Sequence, residues 1–122
     1  MITARVIVDA DGDLFGIHVS GHAGYAKHGK DIVCAAVSAL TLGAVNSIVE
    51  YTGQDIICET GEDGLLRFKF ENKPSHDSIL LFKSMLLGLR NISEQYGEHY
   101  LRILYLQKCG RKQYRDYQFQ EV

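Results

Sequence analysis

The sequence is poor in the residues that staple or interrupt small folds. Its 122 residues include no tryptophan, one proline and three cysteines. Cys34, Cys58 and Cys109 are odd in number, widely spaced and form no CxxC pair. This pattern argues against a zinc ribbon, a redox dithiol or a disulfide framework. We therefore expect three free thiols in a reducing cytosol.

Other absences exclude further classes. The net charge of −2 disfavours a general nucleic-acid binder, so direct RNA binding is not expected. We find no continuous apolar run of the ~20 residues that a membrane span needs, and the first residues alternate like a strand rather than a signal peptide. No complete GxxxxGK(S/T) phosphate loop occurs, because Asp31 follows the lysine of residues 24–30, and neither HExxH nor GxSxG is present. The expectation is one cytoplasmic domain over residues 1–122.

Hydrophobic periodicity predicts the order of the elements. Strand patterns and turn signals predict two hairpins and a further strand, over residues 2–9 with 14–20, 56–59 with 65–70, and 100–106. Asp31 and Gly53 bound one predicted helix, and Ser75 and Gly97 bound the other. Residues 114–120 are a candidate edge strand. The order ββαββαβ predicts an α+β fold, a mostly antiparallel sheet with two helices packed on it.

Cys34 is the thiol with the most reactive setting. It stands at the third helical position after the Asp31 cap, where free amides and the helix dipole favour a thiolate over a thiol. A thiolate at this place is a competent nucleophile. A small buried cysteine that packs beside Val33 and Val37 would occupy the same position, and such packing cysteines are the commoner case.

A nucleophile of this kind needs a base, and two histidines are candidates. His22 and His28 both lie in the glycine-rich stretch 21–30, which we interpret as a mobile loop. His22 follows a strand and so has the firmer anchor. Sequence spacing by itself does not choose between the two rings.

Two further side chains and two amides are candidate supports. Asp31 is a helix cap or, alternatively, a third catalytic group that orients an imidazole. Ser38 lies one turn after Cys34 and either bonds the sulfur or substrate, or permits close packing. The amides of Cys34 and Ala35 are possible oxyanion donors.

The remaining cysteines and the basic tail are weaker candidates. Cys58 is interpreted as a packing residue in a strand, and Cys109 as an exposed thiol in a basic segment. The tail interleaves cations with tyrosines, namely Lys108, Arg111, Lys112 and Arg115 with Tyr105, Tyr114 and Tyr117. Such a pattern can bind RNA, but we favour its interpretation as the charged, solvent-exposed edge of a sheet.

The segment from Gly21 to Ser38 reads GHAGYAKHGKDIVCAAVS. It closely resembles the signature of the ribosomal-processing cysteine proteases, the Prp family of bacteria. That signature has Gly-His-Ala, a short glycine-containing loop, and then Gly-x-Asp-Ile-Val-Cys-Ala-Ala-Val-Ser. The match has no gap, while the rest of the chain agrees in length and element order.

The resemblance implies a cysteine protease with Cys34 as nucleophile and His22 as base. It further implies a homodimer without metal or other cofactor. The implied substrate is the precursor of a large-subunit ribosomal protein, protein twenty-seven, which loses a short hydrophobic N-terminal extension. We further hypothesise that His22 and Cys34 are too far apart to hydrogen-bond until substrate binds and the loop between them closes.

Two other functions remain alternatives at this stage. One is a non-catalytic ribosome-assembly factor that binds ribosomal protein or RNA through the basic tail, with a steep dependence on salt. The other is acyl transfer through the same thiol, which would give a stable thioester on Cys34 without peptide hydrolysis.

Overall fold

The computed structural model describes residues 1–27 and 30–118. Two helices and six strands follow one another in the order ββαββαββ. The strands are β1 (Ile2–Val8), β2 (Leu14–Ser20), β3 (Ile56–Thr60), β4 (Leu66–Phe70), β5 (Leu101–Gly110) and β6 (Gln113–Asp116). The helices are α1 (Ile32–Thr52) and α2 (His76–Tyr96). Of the predicted tail strand 114–120, residues 114–116 belong to β6, residues 117–118 are not strand, and residues 119–120 lie outside the described residues.

The six strands form one mixed sheet in the order β3-β4-β2-β1-β5-β6. Four of the neighbouring pairs are antiparallel, so the predicted mostly antiparallel sheet is confirmed. The exception is β1 with β5, which run parallel with Ile2 opposite Leu101 and Val8 opposite Gln107. A parallel pair needs a crossover connection, and the intervening helices and strands supply it.

One face of the sheet carries the apolar side chains, and both helices pack on it. Alternate residues of the strands, such as Val6, Ile17 and Phe68, are fully buried there. The helices complete one continuous core, to which α1 contributes residues such as Ile48 and α2 residues such as Leu89. Burying these apolar surfaces is the main stabilising contribution to the fold.

The helix boundaries follow the predicted capping signals. The Asp31 carboxylate accepts hydrogen bonds from the amides at the start of α1, and Gly53 ends that helix with a left-handed φ of 66°. Ser75 caps α2 and Gly97 ends it. These agreements are expected because a cap acts on amides only two or three residues away.

Helix α1 corrects one expectation from the sequence. It is long and apolar enough to cross a membrane by length and composition, with a mean hydropathy of 2.0 over its most apolar window. Serine, threonine and asparagine break the continuous apolar run, but α1 carries no charged residue before Glu50. One side of α1 nevertheless packs in the domain core through Val33, Val37 and Ile48, as the core helix of a folded domain does.

Candidate active site

Cys34 stands where the sequence predicts it, at the third position of α1. Its backbone amide donates to Asp31 Oδ1 at 3.0 Å, and its side chain is half-buried. The sulfur borders a cavity of about 530 Å³ between α1 and the end of β2. Ile2, Val19 and Val37 give this cavity apolar walls. The thiol is therefore both fixed by its helix and open to a ligand.

Asp31 joins the loop to the helix that carries Cys34. Oδ1 accepts from the amides of Val33 and Cys34 at 3.0 Å. Oδ2 accepts from the amides of Tyr25 and Ala26, at 3.0 and 3.4 Å. Burial by itself would raise the pKa of this carboxyl, but the bonds from the Cys34, Tyr25 and Ala26 amides outweigh it and hold the pKa below 3.8. With both oxygens engaged by backbone, Asp31 acts as cap and loop anchor.

The sulfur of Cys34 accepts a hydrogen bond from the Ala23 amide at 3.3 Å. This contact stabilises negative charge on sulfur. The amides of Cys34 and Ala35 are not available as oxyanion donors, which corrects the earlier suggestion: the first binds Asp31 Oδ1 and the second binds the Asp31 carbonyl at 3.1 Å. The backbone donor beside the sulfur is the Ala23 amide.

His22 lines the same cavity as Cys34. Its Nε2 lies 3.2 Å from Asp63 Oδ1. The hypothesis that His22 and Cys34 hydrogen-bond only after substrate binds stays a prediction. His28, the other candidate base, lies outside the described residues.

A tight contact between two turns brings Asp63 beside His22. The Gly21 amide donates to the Asp63 carbonyl at 2.9 Å. Gly21 has a φ of 94°, and a Cβ on it would lie 2.3 Å from the Met1 carbonyl oxygen. A Cβ on Gly64 would lie 2.7 Å from the Gly21 carbonyl oxygen. Only glycine fits either place, so the β3–β4 turn packs closely against the start of the loop that follows β2.

Asp63 is the residue that sequence reasoning missed. It lies 41 positions after His22, in a turn read only as a hairpin signal. A carboxylate bonded to one ring nitrogen fixes the imidazole tautomer and leaves the other nitrogen to accept a proton, the arrangement of a catalytic triad. No local sequence pattern predicts the contact between His22 and Asp63, because it depends on the pairing of β4 with β2.

We expect Asp63→Asn to reduce kcat for peptide cleavage with little change in KM. The reduction should be about 2- to 5-fold, because the pair is exposed, at 52% for His22 and 85% for Asp63, and such pairs contribute at most ~1 kcal/mol. Steady-state kinetics on a peptide substrate measure it. Glu62→Gln, one residue earlier in the same turn, is the matched control and should leave kcat unchanged. An equal effect of both changes would deny Asp63 a specific role.

Two further polar residues border the cavity on α1. Ser38 is exposed and one turn beyond Cys34, and Thr41 is buried behind it. The Thr41 hydroxyl is committed to the Val37 carbonyl at 2.9 Å. Ser38 is thus placed to meet a bound ligand, whereas Thr41 serves the helix. On the other side Tyr25 anchors the loop, with its ring 5.4 Å from that of Tyr96.

The other two cysteines lie away from the cavity. Cys109 is exposed, as predicted. Cys58 is also exposed, so its assignment as a packing residue is wrong. It faces the same side as Phe68, but β3 is the edge strand and leaves it open. Partial burial, followed by the neighbouring Glu59 charge, raises the pKa of the Cys58 thiol, which makes it a poor nucleophile.

A thiol at a helix start, a histidine on the opposite loop and an open cavity between them are the parts of a cysteine protease. The family model described as cysteine protease Prp matches residues 1–101. The chain therefore belongs to the cysteine protease Prp family.

Named relatives support this assignment. The ribosomal processing cysteine protease Prp of Bacillus subtilis strain 168 is 34% identical over 105 residues, which cover 81% of this chain and 93% of its own. That of Staphylococcus aureus strain Mu50 is 32% identical over 101 residues, with 81% and 94% covered.

Solved structures agree. An essential ribosomal processing protease Prp from S. aureus with a covalently linked product peptide superimposes with a TM-score of 0.80 at 29% identity. The same protease with a substrate peptide gives 0.75 at 28%. Each comparison covers 86% of this chain and 99% of the other.

Proposed function

We propose that this chain removes a short hydrophobic N-terminal extension from ribosomal protein twenty-seven of the large subunit, with Cys34 as nucleophile and His22 as base. The observation that carries the proposal is that Cys34, at a helix start, and His22 border the same cavity. Two kinds of relative support it: proteins named for ribosomal processing, and a solved protease of the same fold that holds a substrate peptide.

The proposed reaction begins when the loop closes and brings the His22 ring to Cys34, with Asp63 still bonded to Nε2. The imidazole takes the thiol proton, and the sulfur attacks the carbonyl carbon of the scissile peptide bond. The resulting oxyanion lies near the Ala23 amide, a donor already aimed at the sulfur. When the intermediate collapses, the C–N bond breaks and the imidazolium gives its proton to the departing amine. The extension is then held on Cys34 as a thioester.

Water completes the cycle. His22 takes a proton from a water molecule, whose oxygen attacks the thioester carbonyl. The C–S bond breaks, Cys34 recovers its proton, and the extension leaves as a carboxylate. In this scheme the apolar walls at Ile2, Val19 and Val37 hold a hydrophobic side chain next to the cut, and thereby position its carbonyl.

A pair of peptides tests the substrate assignment. The first copies the start of the protein twenty-seven precursor of the same genome, and the second replaces the apolar residues before the cut by serine. We expect cleavage of the first at one bond, and a loss of at least about tenfold in kcat/KM for the second, because each apolar side chain contributes ~1–3 kcal/mol of binding. Product masses identify the cut. Equal cleavage of both peptides would contradict a hydrophobic subsite.

We also propose that the working form is a homodimer that pairs through the helices. Each helix exposes large apolar side chains on the side away from the sheet, at positions seven apart: Leu42 and Val49 on α1, Leu80 and Leu87 on α2. Contiguous exposed apolar surface on a folded domain marks an interaction site. A second copy of the chain presents the same apolar surface and would cover it, as a two-fold interface requires.

Leu42→Glu with Val49→Glu should convert the dimer to a monomer. Two buried carboxylates facing their symmetry mates would oppose association. Light scattering after size exclusion measures the mass, which is expected to fall to that of a single 13.7 kDa chain. Ile57→Glu, a comparable apolar-to-acid change on the edge strand, should leave the dimer intact. A wild-type chain that is already monomeric at micromolar concentration would refute this interface.

The proposed setting is the cytoplasm, where ribosomal proteins are made and thiols stay reduced. We propose that residues 1–122 act there as one catalytic domain.

A further inference from the structure

The face of the sheet away from the helices carries an excess of positive charge. Strand register places the side chains that share this outer face. Among the described strand residues they include five cations and two carboxylates: Arg5, Arg67, Lys69, Arg102 and Lys108, with Glu59 and Asp116. Arg67, Lys69 and Arg102 are exposed. This face therefore carries a net positive charge in a chain that is acidic overall.

Three of the outer-face groups stand directly beside one another. Arg5 pairs with His18 across β1 and β2, and His18 pairs with Arg67 across β2 and β4. Like charges opposite each other destabilise a sheet. Burial, then the Arg67 and Arg5 charges, lower the pKa of His18, while Glu59 partly opposes them. Arg5 and Arg67 therefore flank an uncharged ring, and both can offer positive charge to an anion.

The same face has a small cavity beside the cations. Its volume is about 150 Å³, and Gly16 and Glu59 are among its lining residues. A Cβ on Gly16 would lie 2.3 Å from the Phe68 carbonyl oxygen. Only glycine therefore fits at this position of β2. Aromatic rings of Phe15, His18 and Tyr114 border the cavity.

The cavity combines charge and aromatic surface. Lys108 Nζ lies 5.1 Å from the centroid of the Phe15 ring. Lys69 and Arg67 close the other side, and Tyr114 remains 42% exposed. Cations that track a phosphate backbone, next to rings on which bases stack, are what proteins use to hold single-stranded nucleic acid.

We propose that the outer face of the sheet binds single-stranded RNA, with the row from Arg67 to Arg5 on the phosphates and a base stacked at Tyr114. The composition argued against RNA because net charge averages over faces that the fold separates. The proposal adds to the protease activity and does not depend on it, since Cys34 lies on the helix side of the sheet. It gives a protease of ribosome maturation a means of staying near its ribonucleoprotein target.

Fluorescence anisotropy of a labelled 12-nucleotide single-stranded RNA tests the proposal, with the full chain carrying Cys34→Ala. We expect saturable binding at 50 mM salt that weakens as salt rises. Arg67→Gln with Lys69→Gln should weaken binding several-fold and reduce the slope of log K against log salt by about 1.4, or ~0.7 for each lost phosphate contact. Tyr114→Leu should weaken it by about 5-fold or more.

Matched controls separate the proposed face from general charge. Lys73→Gln with Lys83→Gln removes two exposed cations elsewhere and should leave the affinity for RNA unchanged. Arg67→Gln with Lys69→Gln in the chain that keeps Cys34 should cleave peptide at the wild-type rate, which also excludes misfolding. The proposal is overturned by absence of binding at 50 mM salt, by equal losses in both double variants, or by equal affinity for polyglutamate of the same charge.

Discussion

Cys34→Ala is expected to abolish peptide cleavage, with kcat/KM lower by roughly 10⁴-fold or more. The proposed reaction passes through a covalent thioester, and alanine offers no atom to form it. No other thiol can substitute, because Cys58 and Cys109 are exposed and lie outside the cavity. The assay is release of the extension from the precursor peptide, measured by chromatography over several hours to detect a small residual rate.

The control for this change is the removal of the other two thiols. Cys58→Ala with Cys109→Ala should retain wild-type kcat/KM, and thermal unfolding of Cys34→Ala should show a folded protein. The half-buried Cys34 is small, so its loss should cost little stability. Retained cleavage by folded Cys34→Ala would remove this thiol from the mechanism.

His22→Ala should reduce kcat by about 10²- to 10⁴-fold, the usual contribution of a general base. The effect should be smaller than that of Cys34→Ala, because the nucleophilic sulfur remains and water can take its proton slowly. KM should change little, since His22 forms only one part of the cavity wall. Single-turnover kinetics would separate slow acylation from slow release.

His76→Ala is a suitable control for His22→Ala, because the His76 side chain is 92% exposed at the start of α2. It should cleave like wild type. The competing base is tested directly by His28→Ala, which should keep most of the activity. If His28→Ala lost more activity than His22→Ala, the assignment of the base would be reversed.

Local signals predicted the helices and hairpins well. The helix caps act on groups only a few residues away, so the sequence alone predicts their effect. These caps are Asp31, Gly53, Ser75 and Gly97. The parallel pairing of β1 with β5 was not predicted. It joins segments almost a chain length apart, and no turn sets its register.

The site was predictable in its chemistry but not in its detailed contacts. The cap at Asp31 and the position of Cys34 follow from helix-start rules. The contact of His22 with Asp63 requires knowledge of which turn lies beside the loop. The exposure of Cys58 likewise depends on β3 being at the sheet edge. Sequence patterns describe one helix or strand at a time, whereas the His22–Asp63 contact and the exposure of Cys58 depend on how two elements pack together.

Distribution of charge and apolarity over surfaces was the least predictable property. A net charge of −2 conceals the outer-face cations. Interruptions by polar residues conceal how apolar α1 is. In both cases a property averaged along the chain does not show how charged or apolar side chains are distributed over the faces of the folded elements.

The most direct test of the account is the mass of the enzyme during turnover. Wild-type protein is mixed with a molar equivalent of precursor peptide, quenched in acid within the first turnover, and digested for mass spectrometry. The account predicts a transient adduct equal to the extension acid minus one water, attached at Cys34 and lost on exposure to hydroxylamine. Cleaved product without any adduct during the first turnover, or an adduct on Cys58 or Cys109, would contradict nucleophilic attack by Cys34.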